Sequence, residues 1–213
     1  MEDFTTYTEV DTGNFLTETA TRITATNLTA TPDAYVYSDK GVDHFAGDFE
    51  HLITYRLTGG TGNMFLPWMV ANDLDDRQGL YSTSKPFYSI DLDYAGAATT
   101  IYLREFNGTH YTDTYVATTD VIWYLKIKRD EAIGTYGTLY CYVYDNAART
   151  NLIDTLILTL HDFRDYRYVY GFNNSNDGGT NTVNGYSENL DLQEGAPPAA
   201  EAGHNFTTLL GIT

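Results

Sequence analysis

The sequence is poor in cysteine and in basic residues, and it has no long apolar run. A single cysteine among 213 residues excludes an internal disulfide. The 12 Lys and Arg residues face 29 Asp and Glu residues, which gives a formal net charge of −17. This charge repels phosphate backbones and anionic lipids, so it argues against nucleic acid and membrane surfaces as partners. No stretch approaches the ~18 consecutive apolar residues of a membrane-spanning helix.

The sequence also lacks the motifs of several common chemistries. It contains no Gly-x-Ser-x-Gly elbow, no Gly-x-x-x-x-Gly-Lys loop and no His-Glu-x-x-His motif. Its five histidines show no metal-ligand spacing. Cys141 alternates with Leu139 and Val143, which predicts a buried thiol that acts as a small hydrophobe. The first residues have neither the basic nor the apolar segment of a secretory signal, so we expect no export by that route.

Tyrosine, in contrast, is abundant, with 19 copies. Two runs contain tyrosines at every second position. The first has Tyr140, Tyr142 and Tyr144, and the second has Tyr166, Tyr168 and Tyr170. Side chains at this spacing share one face of a strand, so each run predicts a row of aromatic rings. Exposed rows would bind sugars or another protein, whereas covered rows would only fill space between two sheets. The sequence leaves both alternatives open and makes the six tyrosines candidate ligand or interface residues.

Strand-like runs separated by turns rich in Gly, Asn and Asp follow one another along the chain. There are about a dozen of them, and no long helical period occurs. Residues 59–63 (GGTGN) are predicted to form a hairpin turn between the runs 48–57 and 64–71. The runs 87–94 and 100–106 predict a second hairpin. The pattern indicates an all-β fold, a jelly-roll sandwich of two antiparallel sheets.

The composition changes after residue 192, which predicts one sandwich domain over residues 1–192 and a different segment over residues 193–213. The latter begins with a Pro- and Ala-rich linker. It ends in an apolar arm that contains Phe206, Leu209, Leu210 and Ile212. Such an arm either folds back on its own domain or packs on a neighbouring subunit as an assembly device.

Three segments together resemble concanavalin A-like lectin/glucanase sandwiches of the LamG type. They are residues 121–131 (VIWYLKIKRDE), 137–145 (GTLYCYVYD) and 185–192 (GYSENLDL). The resemblance is one of pattern over roughly residues 4–192, and it implies two stacked sheets in which the last strand returns beside the strand at residues 121–128. Proteins of this pattern without a signal peptide are familiar among tailed-phage sequences as virion structural or adhesive modules.

Catalytic relatives within this resemblance carry three carboxylates in a Glu-x-Asp-x-(x)-Glu arrangement on one strand. Here the same-face pairs Asp73/Asp75 and Asp91/Asp93 lack the third acid, since Arg77 and Ala95 occupy the next position on that face. A glycosidase needs a nucleophile and a general acid on either side of the bond. The sequence therefore predicts that the protein is not an enzyme.

The sequence predicts no cofactor. Calcium is the option that the resemblance raises, because lectin-like sandwiches often hold Ca²⁺ at their rim. The candidate ligands lie in two oxygen-rich loops and are Asp73, Asp75, Asp76 and Asp177. The alternative is that both loops are solvated turns, the more common origin of such compositions.

These observations predict a non-enzymatic structural or decoration protein of a virion, built on a lectin-like sandwich. Its partners would be other virion proteins or further copies of itself, and it would be assembled in the host cytoplasm and exposed outside. The alternative is a carbohydrate-binding adhesin module of a phage or a microbial surface, with glycans as partners. A polysaccharide hydrolase is the third hypothesis, which the missing acid triplet disfavours.

Overall fold

The structure, a computed structural model, describes residues 1–194 except residues 32, 63 and 176. It consists of fourteen β-strands, one short α-helix and one turn of 3-10 helix at Phe4–Thr6. In chain order the elements are β1 (Thr8–Asp11), β2 (Leu16–Glu18), β3 (Arg22–Ala30), β4 (Ala34–Asp39), β5 (Phe49–Gly60), β6 (Met64–Ala71), α1 (Arg77–Ser82), β7 (Phe87–Ala95), β8 (Ala98–Phe106), β9 (His110–Thr118), β10 (Trp123–Asp130), β11 (Thr138–Tyr144), β12 (Leu152–Thr159), β13 (Tyr168–Asn174) and β14 (Gly179–Asp191).

The strands form two seven-stranded antiparallel sheets that pack face to face. Sheet A has the order β1-β4-β13-β6-β7-β8-β9, and sheet B has the order β12-β11-β10-β5-β14-β3-β2. The last long strand, β14, lies between β5 and β3. The resemblance placed it beside β10, which is wrong, because β5 pairs with β10 and separates the two strands. The two antiparallel sheets themselves confirm the predicted jelly-roll sandwich. No helix in the described ranges is long and apolar enough to cross a membrane.

Side chains that alternate between the two faces of each strand form the core between the sheets. On β10 the side chains of Trp123, Leu125 and Ile127 point inward and are buried, whereas those of Lys126 and Lys128 point to solvent. The neighbouring β11 continues this inner face, and its Cys141 is fully buried as predicted. Burial of apolar area of this kind is the main source of stability, at about 25 cal/mol per Å².

The predicted hairpin at residues 59–63 is wrong, because β5 and β6 belong to different sheets. The end of β5 continues along β14, with Gly60 opposite Val183. A Cβ at Gly60, whose φ is +152°, would lie 2.2 Å from the carbonyl oxygen of Thr182. The chain then crosses from sheet B to sheet A, so this glycine-rich segment allows a close approach of two backbones rather than a tight turn.

The second predicted hairpin is confirmed, since β7 and β8 pair along their full length and turn at Gly96 with φ +77°. The strands β1, β2 and β9 and the helix α1 were not predicted. The strand β9 has no fully apolar face, and its Val116 is 62% exposed. Helix α1 is too short to show a period, and it begins where the carboxylate of Asp76 accepts hydrogen bonds from two backbone amides.

Candidate functional site

The outer face of sheet A carries four tyrosines on its β4 and β13 side. Tyr35, Tyr37 and Tyr168 are half-buried and Tyr170 is buried, with neighbouring ring centroids 5.9 to 6.1 Å apart. The hydroxyl of Tyr170 donates to the carbonyl oxygen of Asp73 at 2.9 Å, which ties this tyrosine group to the segment before α1. The tyrosine group therefore presents an amphipathic surface beside the helix.

The predicted row of Tyr166, Tyr168 and Tyr170 is only partly correct. Tyr166 precedes β13 and points into the core, where its ring contacts Tyr88 at 4.8 Å. The register of β13 shifts between Tyr170 and Phe172, so Phe172 also turns inward. The strand boundary and the bulge thus leave two of the three candidate tyrosines on the outer face.

The segment that contains α1 lies across the middle of this outer face and is held there by a buried carboxylate. Asp91 of β7 accepts hydrogen bonds from Arg77 of α1 at 3.0 Å, from Arg104 of β8 at 2.6 Å and from the hydroxyl of Ser89 at 2.5 Å. Burial alone would raise the pKa of Asp91, but the two guanidinium groups and Ser89 lower it below its usual value. Asp91 is therefore a permanently ionised link between helix and sheet.

A neutral histidine extends this network. Arg104 Nη1 lies 3.1 Å from His110 Nδ1, and because a guanidinium only donates, that nitrogen is the acceptor. Burial and the nearby Arg104 charge lower the pKa of His110 to about 4. The Tyr81 ring of α1 stacks on His110 with centroids 4.8 Å apart. Helix α1 is thus fixed to the sheet at both of its ends.

A polar cavity of about 330 Å³ lies where α1 meets the end of sheet A that leads into the β13–β14 connection. The polar side chains that line it supply both hydrogen-bond donors and acceptors. They are Arg77, Gln78, Asp93, Ser175, Asp177 and Asn181. Its apolar surface comes from Met64 and Ala30, and Met64 lies directly across the β6–β7 pair from Asp93. Burial raises the pKa of Asp93 above its usual value. The size lies within the range of ligand pockets.

The other predicted row lies on the outer face of sheet B, as expected from its alternation. Tyr140, Tyr142 and Tyr144 are half-buried, and the rings of Tyr140 and Tyr142 are nearly parallel, 12° apart, at a centroid distance of 6.0 Å. The Lys126 ammonium lies 5.4 Å from the Tyr142 ring. Neither sheet packs over this row, although its role in binding a ligand or a partner stays a prediction.

The predicted calcium ligands have other contacts. Asp73 pairs with Lys85 at 3.0 Å, Asp76 accepts from Gln78 and Gly79 backbone amides, and the carboxylate of Asp75 accepts from the Asp76 amide. Asp177 accepts from the Gly179 amide. Within the described part of the chain, no three acidic, His or Cys side chains form a group that could hold a metal ion. Calcium binding at these aspartates stays a prediction.

The predicted assembly arm, Phe206, Leu209, Leu210 and Ile212, lies outside the described residues. The Asp91 network was missed at the sequence level, although one signal pointed to it. Asp91 lies between Ile90 and Leu92, in a strand that also carries Asp93 but is otherwise mainly apolar in this part. An acid in such a strand indicates a buried ion pair.

Three solved structures are similar to this chain over most of its length. A functionally unknown protein from Saccharomyces cerevisiae matches with a TM-score of 0.57 and 12% identity, over 92% of this chain and 99% of that chain. A legume lectin-like domain from Entamoeba histolytica matches with a TM-score of 0.50 and 10% identity, over 87% of this chain and 89% of that chain. The exoplasmic/lumenal domain of VIP36, in a Ca2+/Man-bound form, matches with a TM-score of 0.50 and 10% identity, over 90% of this chain and 84% of that chain.

These likenesses concern the fold, and they confirm the concanavalin A-like sandwich that the sequence resemblance predicted. No protein-family model matches the sequence. No curated protein matches it either.

Proposed function

We propose that this protein is a non-enzymatic carbohydrate-binding module whose sugar site is the polar cavity at the end of sheet A. The observation that carries the proposal is the lining of that cavity, which places two carboxylates, a guanidinium and two amide side chains around a small apolar surface. Sugar rings have apolar C–H faces and a rim of hydroxyl groups, so they need this mixture of contacts.

Asp93 has the central role in this proposal. Its half-buried carboxylate can accept hydrogen bonds from two neighbouring sugar hydroxyls, and such charge-assisted bonds are stronger than neutral ones. Arg77 lies on the same cavity and is fixed by Asp91, so it is oriented before a ligand arrives. A preoriented donor loses little conformational entropy on binding.

The fold likeness supports the same proposal from a separate direction. One similar structure is a legume lectin-like domain, and another was obtained in a Ca2+/Man-bound form. The absence of catalysis is part of the proposal, and the chemistry of Asp91 supports it. Because Asp91 is fixed between two arginines with a lowered pKa, it cannot serve as a proton donor to a glycosidic oxygen.

The experiment is a glycan array followed by calorimetric titration of the best ligand. We expect monosaccharide affinities of about 0.1–1 mM, which correspond to roughly −4 to −5 kcal/mol. Asp93→Asn should weaken binding by about tenfold or more, because it replaces a charged acceptor in a half-buried position. Asp43→Asn, a matched change at an exposed turn, should leave binding unchanged. Equal affinities for both variants would place the sugar elsewhere.

A virion role is the second candidate, and the observation that favours it is the half-buried tyrosine row on the outer face of sheet B. Tyr140, Tyr142 and Tyr144 lie beside β12, the terminal strand of that sheet, whose Ile157 is 53% exposed. Aromatic and aliphatic side chains of this kind are enriched in protein interfaces. Sugar binding and a place in a virion are compatible, because an adhesive virion module performs both.

A further inference from the structure

A second cavity, larger than the polar one, lies at the opposite end of the sandwich. The strands β5 and β14 run between the two, since the polar cavity is lined by Gly179 at the start of β14 and the second by Leu192 just after its end. The second cavity has a volume of about 480 Å³. It is called the His51 cavity below, after the buried residue on its wall.

The walls of the His51 cavity are aromatic. Phe49 stacks on His51 with ring centroids 4.5 Å apart and an angle of 19°, and Phe45 meets His51 edge-on at 5.2 Å. Leu192 and Ala46 add aliphatic surface. A cavity of this composition accommodates a flat apolar group, and such groups gain most from contact with aromatic rings.

His51 contributes one directed polar group. Its Nδ1 accepts a hydrogen bond from Trp68 Nε1 at 3.0 Å, and because an indole N–H only donates, Nδ1 carries no proton. The proton of the neutral ring is therefore on Nε2, which has no hydrogen-bond partner among the described residues. His51 is only 1% exposed and lines the cavity, so its Nε2–H is a donor for an acceptor bound there.

Most charged groups around the cavity are already paired, whereas the carboxylate of Asp48 accepts a hydrogen bond from the backbone amide of Glu131 and has no cationic partner among the described residues. Glu50 pairs with Lys126 at 3.0 Å and Lys128 with Asp130 at 2.8 Å. His44 contacts Glu194. At the buried end, the guanidinium of Arg129 pairs with Glu131 at 2.8 Å and donates to the carbonyl oxygens of Phe45 and Arg164. A ligand thus meets no unpaired cationic group, which disfavours an anion.

We propose that the His51 cavity is a second binding site, for a small neutral molecule with a flat aromatic ring and a carbonyl or similar acceptor oxygen. The ring would lie against Phe45 and Phe49, and the acceptor would take the hydrogen bond of His51 Nε2–H. This site is separate from the proposed sugar site in position and in chemistry, so either proposal can fail without the other.

The test uses benzamide, which has a flat ring and a carbonyl oxygen, and acetamide, which lacks the ring. The protein is the full chain with ¹⁵N-labelled histidine, and the readout is the Nε2 resonance of His51 during titration. We expect benzamide to shift this resonance and to bind about tenfold more tightly than acetamide. Ala46→Trp fills the exposed mouth of the cavity and should weaken benzamide binding by about tenfold. Ala148→Trp, at an exposed position outside the cavity, should leave it unchanged.

Two results would overturn the proposal. In the first, the His51 resonance does not move, or Ala46→Trp and Ala148→Trp bind benzamide equally well. In the second, benzamide binds only to a chain that ends at Glu194. That result would assign the cavity to the chain's own residues beyond 194, because Leu192, Gln193 and Glu194 already line it.

Discussion

Trp68 on β6 donates a hydrogen bond of 3.0 Å to His51 on β5, and this bond joins the two sheets across the interior of the sandwich. Both side chains are buried, at 0% and 1% exposure. Burial lowers the pKa of His51 to about 3, and the charges of His44 and Lys40 act in the same direction. The bond exists only with the neutral ring, because a protonated Nδ1 cannot accept it.

The first prediction concerns stability in acid. The unfolded His51 has its ordinary pKa of 6.5 and the folded one a lower value, so protonation favours the unfolded state. The contribution of His51 to the free energy of unfolding is complete above pH 6.5 and falls by up to about 1.4 kcal/mol per pH unit below it. Urea unfolding between pH 7 and 4 measures the slope. His51→Phe should reduce the slope of the free energy of unfolding against pH by the equivalent of about one bound proton. This reduction is expected whatever the effect of the substitution on stability at pH 7. An unchanged slope would contradict the assignment.

The second prediction concerns the carboxylate under α1. Asp91→Asn leaves the guanidinium groups of Arg77 and Arg104 buried without a counter-charge, which should cost about 3–5 kcal/mol in the free energy of unfolding. Asp39→Asn breaks an ion pair with Arg167 that is exposed on the surface, and should change the free energy of unfolding little. Chemical denaturation of both variants measures the difference. Similar small losses would mean that Asp91 does not hold the helix.

The strands with a clear alternation could be predicted from the sequence, whereas the crossing between the sheets could not. The runs that contain Ile127 and Cys141 show a strict period of two, because one side faces the core and the other faces solvent. Gly60 has the local signature of a turn, yet the same freedom of φ serves a close backbone approach. Local sequence does not distinguish these uses, because the difference lies in which distant strand pairs with the segment.

The candidate site was less predictable than the fold, for a physical reason. The polar cavity brings together residues from α1, β7 and the β13–β14 connection, such as Gln78, Asp93 and Asn181. Their proximity depends on how α1 lies across sheet A, which the long-range link between Asp91 and Arg77 decides. The tyrosine row on β11 was predictable because it needs only one strand.

The third prediction concerns the edge where the terminal strands of the two sheets meet. Burial raises the pKa of Glu18 on β2 to about 7, and the carboxylate of Glu9 on β1 adds to the effect. The ordinary value is 4.5, so the folded state loses stability as the pH rises from 4.5 to 7. Glu18→Gln should therefore stabilise the protein at pH 8, by about 1 kcal/mol or less since the group is only partly buried, and should have no effect at pH 4.

Thermal unfolding of Glu18→Gln at the two pH values provides the measurement. The matched control is Glu50→Gln, which removes a carboxylate from an exposed pair with Lys126 on sheet B. This control should show no stabilisation at pH 8. If Glu18→Gln is equally neutral at both pH values, the two carboxylates do not share a proton in the folded protein.

The last prediction concerns the apolar residues after the linker, which the sequence marks as an assembly arm. Phe206, Leu209, Leu210 and Ile212 follow a segment without an apolar pattern, so an apolar surface on another subunit would stabilise them by burial. We expect light scattering to give an oligomeric mass for the full chain and a monomeric mass for a chain that ends at Glu194. Ending there keeps the contact between His44 and Glu194 intact. Leu209→Ser with Leu210→Ser in the full chain should also give a monomer. Monomers throughout would exclude self-assembly through the arm and leave the sugar site as the main route to function.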